Sequence, residues 1–183
     1  MSSVLYIASD RELPITPLKK AAKVITFKSE KPPEGCIPLD QIIDLSDVME
    51  NLSEDEVEQF DTYEDAAGIV IRDLSVDEKE IGKQFKNKFI YELSASWGDF
   101  YLNEMLKNKF PSNFKANRKC ICKLFEFIKE NAGIGRGMEL YKCWIGEEGQ
   151  DRNKQLDMEI DLKSFVLGDS FELEDRQYIV FKV

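Results

Sequence analysis

Ser112-Asn113-Phe114-Lys115-Ala116-Asn117-Arg118-Lys119-Cys120-Ile121-Cys122-Lys123-Leu124-Phe125-Glu126-Phe127-Ile128-Lys129-Glu130-Asn131 decides how this chain is read. Phe114, Ile121, Leu124, Phe125, Ile128 and the following Ala132 recur at helical spacing, whereas Arg118, Lys119, Lys123, Glu126 and Lys129 face away. One apolar stripe opposite a charged face predicts a helix over residues 112–131 that packs on a sheet or on other helices. Gly133 supplies its C-terminal stop. Pro111 separates it from a preceding helix, expected to run from a Ser96 cap to Lys109.

Towards the C-terminus, residues 138–145, 156–162 and 171–183 alternate apolar with polar side chains and read as three strands, with Gly168-Asp169 turning into the last. Towards the N-terminus, residues 89–93 and Gly68-Ile69-Val70-Ile71 read as strands. Ser75-Val76-Asp77-Glu78 has capping-box spacing and opens a helix to about Phe85, with Ile81 and Phe85 on one face. Ser53-Glu54-Asp55-Glu56 repeats that spacing, and Leu52 with Val57 takes the positions of a hydrophobic staple. Residues 38–51 stay ambiguous, since Ile42, Ile43, Leu45 and Val48 suit one side of a short helix. Lys31-Pro32-Pro33-Glu34-Gly35 is a turn. Val4-Leu5-Tyr6-Ile7 and residues 23–27 are short β-branched or aromatic strands, and the two prolines of Leu13-Pro14-Ile15-Thr16-Pro17 break regular structure between them. The expected architecture is α+β (or α/β). One compact domain over residues 1–183 carries a mixed sheet of N- and C-terminal strands, with two to four helices in the middle. No Pro/Gly/Ser-rich linker, internal repeat or low-complexity segment divides it.

Composition narrows the function. The 183 residues are 43% hydrophobic and 33% charged, outside the regime of disorder. No run reaches the roughly 18 apolar residues of a membrane span, and the first ten residues lack the basic region of a signal peptide. A soluble, cytoplasmic protein is expected, with Cys36, Cys120, Cys122 and Cys143 as reduced thiols. There is no histidine, so Ser-His-Asp and Cys-His nucleophilic pairs and His-ligated metal sites cannot be built. Cys120 and Cys122 stand about 200° apart around a helix and do not converge on one metal. A four-cysteine zinc site using Cys36 and Cys143 would need an unusual fold. Cys143, alternating along a strand, reads as a small core residue. No cofactor is expected.

Charge is the most unusual feature. Residues 40–78 carry fourteen acids against one base, Arg72, and residues 79–129 carry eleven bases against five acids, in a chain of net charge −10. The two blocks either face each other or solvate separate surfaces, or the acidic one steers a locally basic partner. On the last reading the partner-binding candidates are Glu54, Asp55, Glu58, Asp61, Glu64 and Asp65. Trp97 and Tyr101 join them as partly exposed aromatic anchors. The same acidity argues against general nucleic-acid binding.

Two further stretches invite chemistry. Gly133-Ile134-Gly135-Arg136-Gly137 resembles a phosphate loop, but it follows a helix, whose C-terminus repels anions. The loop of residues 146–154 offers Glu147, Glu148 and Asp151 as a carboxylate set for Mg²⁺ or acid–base work, without the spacing of an EF-hand. The leading expectation is a non-enzymatic module binding a locally basic protein, for instance an immunity- or antitoxin-like inhibitor of a nuclease. A carboxylate- or Mg-dependent enzyme at the 146–154 loop and a structural subunit of a complex are the alternatives.

Overall fold

The computed structural model describes residues 3–16, 24–27, 57–76, 78–133 and 137–183. The strands in chain order are β1 (Ser3–Ser9), β2 (Val24–Phe27), β3 (Val57–Phe60), β4 (Gly68–Arg72), β5 (Phe89–Ser96), β6 (Met138–Trp144), β7 (Met158–Asp161) and β8 (Tyr178–Lys182). The helices are α1 (Tyr63–Ala66), α2 (Glu78–Ile81), α3 (Glu104–Lys109) and α4 (Pro111–Asn131). Six strands form one mixed sheet in the order β4-β5-β1-β6-β8-β7, antiparallel throughout except for the β7–β8 pair. β2 and β3 form a separate parallel pair. The fold is α+β. As expected, strands from both ends of the chain build the centre of the sheet, and β4 and β5 from the middle complete one side.

Period-2 alternation sorts the sheet into two cores. Leu5 and Ile7 of β1, Tyr91 and Leu93 of β5, Met138 and Leu140 of β6, and Ile179 and Phe181 of β8 point to one face. α4 covers that face with Phe114, Ile121, Leu124, Phe125 and Ile128, the stripe read from sequence. Val4, Tyr6, Tyr141, Cys143, Tyr178 and Val180 point to the other face, covered by Ile81 and Phe85 of the α2 segment.

Where the sequence reading failed, tertiary contacts had taken the residues. The helix expected over 96–109 shortens to α3: Ser96 ends β5, and Asn103 caps the helix instead, accepting from the Leu106 amide at 2.7 Å. Leu102, expected inside that helix, forms a bridge with Phe171. The strand expected from 171 begins only at Tyr178, after a turn containing Arg176 at φ 56°. The strand expected from 156 begins at Met158, behind a 3-10 turn over Lys154–Leu156. α2 passes into a 3-10 turn (Gly82–Gln84), and Ser75 gives both its amide and its hydroxyl to Glu92 of β5. The Ser53–Glu56 capping box and residues 38–51 lie outside the described residues. Val57, expected on a helix as a staple, opens β3. The capping box found nearby is Thr62 with Asp65. Gly133 does not end α4 through a left-handed turn: Ala132 is an extended C-cap, and a Cβ on Gly133 would fall 2.8 Å from the Asp10 carboxylate. Arg11 completes that helix end, donating to the Asn131 carbonyl at 2.9 Å.

The second core is unusually polar. Glu139 of β6 is 4% exposed, and its carboxylate accepts from the Lys86 and Asn87 amides, at 3.0 and 2.9 Å, and from the Tyr178 hydroxyl at 2.5 Å. Glu139→Ala would leave the buried Tyr178 hydroxyl and the part-buried Lys86 and Asn87 amides unpaired, and is expected to lower stability by about 3 kcal/mol in urea unfolding. Burial pushes the Tyr6, Tyr141 and Tyr178 hydroxyls up from 10.0 and the Cys143 thiol up from 9.0 to about 12. Each holds its proton more tightly folded than unfolded. The stabilisation is therefore full below the ordinary thiol and phenol values and is lost as pH climbs towards the raised ones. The urea midpoint should fall steadily from about pH 9 upwards.

Candidate functional site

Immediately after β5 the chain must turn away from the sheet and run along α4. Trp97 makes that turn at φ 56°, a left-handed conformation that costs a bulky side chain roughly 1–2 kcal/mol. Gly98 follows because the helix is so near: a Cβ there would lie 2.7 Å from the Cys120 sulfur and 3.2 Å from the Ala116 backbone. Asn117, 7% exposed on α4, then pins the loop from both sides. Its Oδ1 accepts from the Asp99 amide at 2.9 Å, and its Nδ2 donates to the Tyr101 carbonyl at 2.8 Å.

The outcome is an open groove of about 520 Å³ lined by Tyr63, Trp97, Asp99, Tyr101, Leu106 and Asn117, among others. The Trp97 indole is 42% exposed and stacks on Tyr63, with ring centroids 6.1 Å apart and planes 23° from parallel. Tyr101 is half-buried, and its hydroxyl accepts from the Asn103 side-chain amide. Met105 and Phe110, on and just after α3, are more than half exposed.

Asp61, Glu64 and Asp65, expected to bind a partner, lie next to Tyr63 in the chain. Glu64 and Asp65 belong to α1, which carries that ring, and Asp61 stands just before its Thr62 cap. Asp65 also holds its own helix start, its carboxylate accepting from the Thr62 amide and hydroxyl at 3.1 and 2.8 Å. Lys119 of α4 ties α1 down by donating to the Glu64 and Asp65 carbonyls at 2.7 and 2.9 Å. Of the expected candidates, Trp97 and Tyr101 line the groove, together with the acid Asp99, whereas Asp61, Glu64 and Asp65 are neighbours of Tyr63 in the chain and are not among its lining residues. Glu58 falls on β3, whose side chain there is not described, and Glu54 and Asp55 lie outside the described residues. No protein-family model matches the chain, and no curated protein and no solved structure matches it.

The 146–154 loop is arranged differently from a converging carboxylate set. Gly146 takes φ 89° in the turn closed by the Glu147 amide on the Trp144 carbonyl, a position that demands glycine. Glu148 is 4% exposed and turns inward, accepting from the Gly146 amide at 2.9 Å and from the Tyr6 hydroxyl at 3.3 Å. Glu147 is half-buried, and Asp151 lines a separate cavity beside Lys83, Lys86, Arg152 and Lys154. Among the described residues no group of three or more Asp, Glu or Cys side chains is placed to hold a metal ion. Cys120 and Cys143 are buried, and burial raises the Cys120 thiol to about 11.

Reading the sequence missed Tyr63 and Asn117. Thr62-x-x-Asp65 was the available signal for Tyr63, because a cap there fixes which way the next residue faces. For Asn117, a polar residue inside the apolar stripe of α4 was the hint, three residues after Phe114 and four before Ile121. Asn117→Ala is expected to cost about 2 kcal/mol by stranding two part-buried backbone groups, the Asp99 amide and the Tyr101 carbonyl. In a Trp144→Phe background it should also make Trp97 emission easier to quench with iodide.

Proposed function

We propose that the chain is a non-enzymatic binding module that takes a locally basic protein at the Tyr63–Trp97–Tyr101 groove. One observation carries the reading: a half-exposed tryptophan is held in a costly backbone conformation, stacked on a second ring, in a groove that Asp99 also lines. Stacked aromatics with few rotamers lose little entropy on binding and supply most of the energy of a small interface. The carboxylates of Asp61, Glu64 and Asp99 would act earlier, steering a cationic partner and disfavouring acidic ones. A partner that presents lysine and arginine around an apolar knob suits both parts, and the substrate cleft of a nuclease is one such surface. Binding through the groove needs no catalytic group from this chain.

The test is affinity capture from host lysate with the tagged protein, at low and moderate salt, beside Trp97→Ala and Glu64→Lys. One stoichiometric basic partner is expected, weakened by salt and by Glu64→Lys, and lowered about a hundredfold in affinity by Trp97→Ala. A partner held equally by the unaltered protein and both variants would place the interface elsewhere and end this reading.

A further inference from the structure

The turn after α2 and the loop before the Lys154–Leu156 turn enclose a cavity of about 430 Å³, lined by Lys83, Gln84, Phe85, Lys86, Asp151, Arg152 and Lys154. Four cations and one acid meet there, in a chain whose net charge is −10. The volume is that of a small-molecule site.

The frame of the cavity is rigid. Gln84 is 5% exposed and donates to the Glu148 and Gln150 carbonyls at 3.3 and 2.6 Å, clamping the two walls together. Lys83 reaches across to the Gly149 carbonyl. Arg152 lies 4.0 Å over the Tyr178 ring, donates to the Gln84 carbonyl at 3.1 Å and pairs with Asp157 at 3.1 Å. The backbone of Lys86 is held by the Glu139 carboxylate. Yet the ammonium groups of Lys86 and Lys154 have no partner among the described residues, and neither does the Asp151 carboxylate. Two ammonium groups without partners, both on exposed side chains lining one cavity, are not needed to hold the fold and are available to an anion.

We propose that this cavity binds a small phosphorylated sugar or similar hydroxyl-bearing phosphate. Lys86 and Lys154 take the phosphate as point charges, with Arg152 and Lys83 adding field from behind. Asp151 accepts from a ligand hydroxyl, which inorganic phosphate does not offer in the same way. The acidity of the rest of the chain repels an extended polyanion and leaves a compact one as the ligand. The site is independent of the aromatic groove.

Amide chemical shifts of the full chain, titrated with ribose 5-phosphate, inorganic phosphate and a single-stranded oligonucleotide, test this. Saturable shifts confined to residues 83–86 and 151–154 are expected, with ribose 5-phosphate the tighter of the two small anions. Lys86→Glu with Lys154→Glu, both exposed, should weaken binding about a hundredfold, at roughly tenfold per lysine, while leaving the urea midpoint in place. Asp151→Asn should remove the preference for the sugar phosphate. No shift at these amides, or unchanged affinity in the double variant, would overturn the proposal, and tighter binding of the oligonucleotide would replace it with a nucleic-acid site.

Discussion

A strand at the centre of a sheet and apolar on both sides needs two covers, and β1 sets that requirement for everything else. Val4-Leu5-Tyr6-Ile7 places Leu5 and Ile7 on one face and Val4 and Tyr6 on the other. The α4 helix meets the first demand with a stripe of large aliphatic and aromatic residues. Among the described residues the second cover is a short helix, the 3-10 turn after it and the side chains of Leu74 and Val76, and three tyrosines are buried beneath it. Glu148 supplies a polar partner for Tyr6 and Glu139 one for Tyr178, while the buried Tyr141 hydroxyl has no partner among the described residues. The asymmetry between one oily face and one hydrogen-bonded face follows from the lengths of the two covering elements.

That asymmetry also separates the two concave surfaces. The aromatic groove grows out of the oily side, where close approach of the 97–101 loop to α4 is enforced by Gly98 and Asn117. The cationic cavity grows out of the polar side, where Gln84 ties the α2 segment to the 146–154 loop. Each surface is built where a loop is anchored by a buried amide side chain: Asn117 accepts from one backbone group and donates to another, and Gln84 donates to two carbonyls.

Much of the architecture was legible because it rests on local periodicity. The stripe on α4, the alternation of β1 and β6 and the pairing of chain ends all follow from positions of apolar residues. What was not legible depended on partners distant in sequence. Ser96 has the right chemistry for an N-cap, but β4 holds it in a ladder opposite Gly68. Phe171 alternates like a strand residue and spends its backbone on Leu102 instead. For the sites, exposed Trp97 and half-buried Tyr101 could be anticipated from an aromatic-rich turn, and the acids beside Tyr63 from the charge count. The lysines at 83, 86 and 154 could not be grouped, since they come together only through the clamp of Gln84.

Phe110 belongs to two helices. Its amide donates to the Leu106 carbonyl at 2.8 Å and closes α3, and its own carbonyl accepts from the Phe114 amide at 3.0 Å and opens α4. There is no slack residue between the two elements. Leu106, a wall of the aromatic groove, is therefore mechanically continuous with Phe114 in the main core. An added residue at this joint would rotate α3 by about 100° relative to α4 and take that wall away.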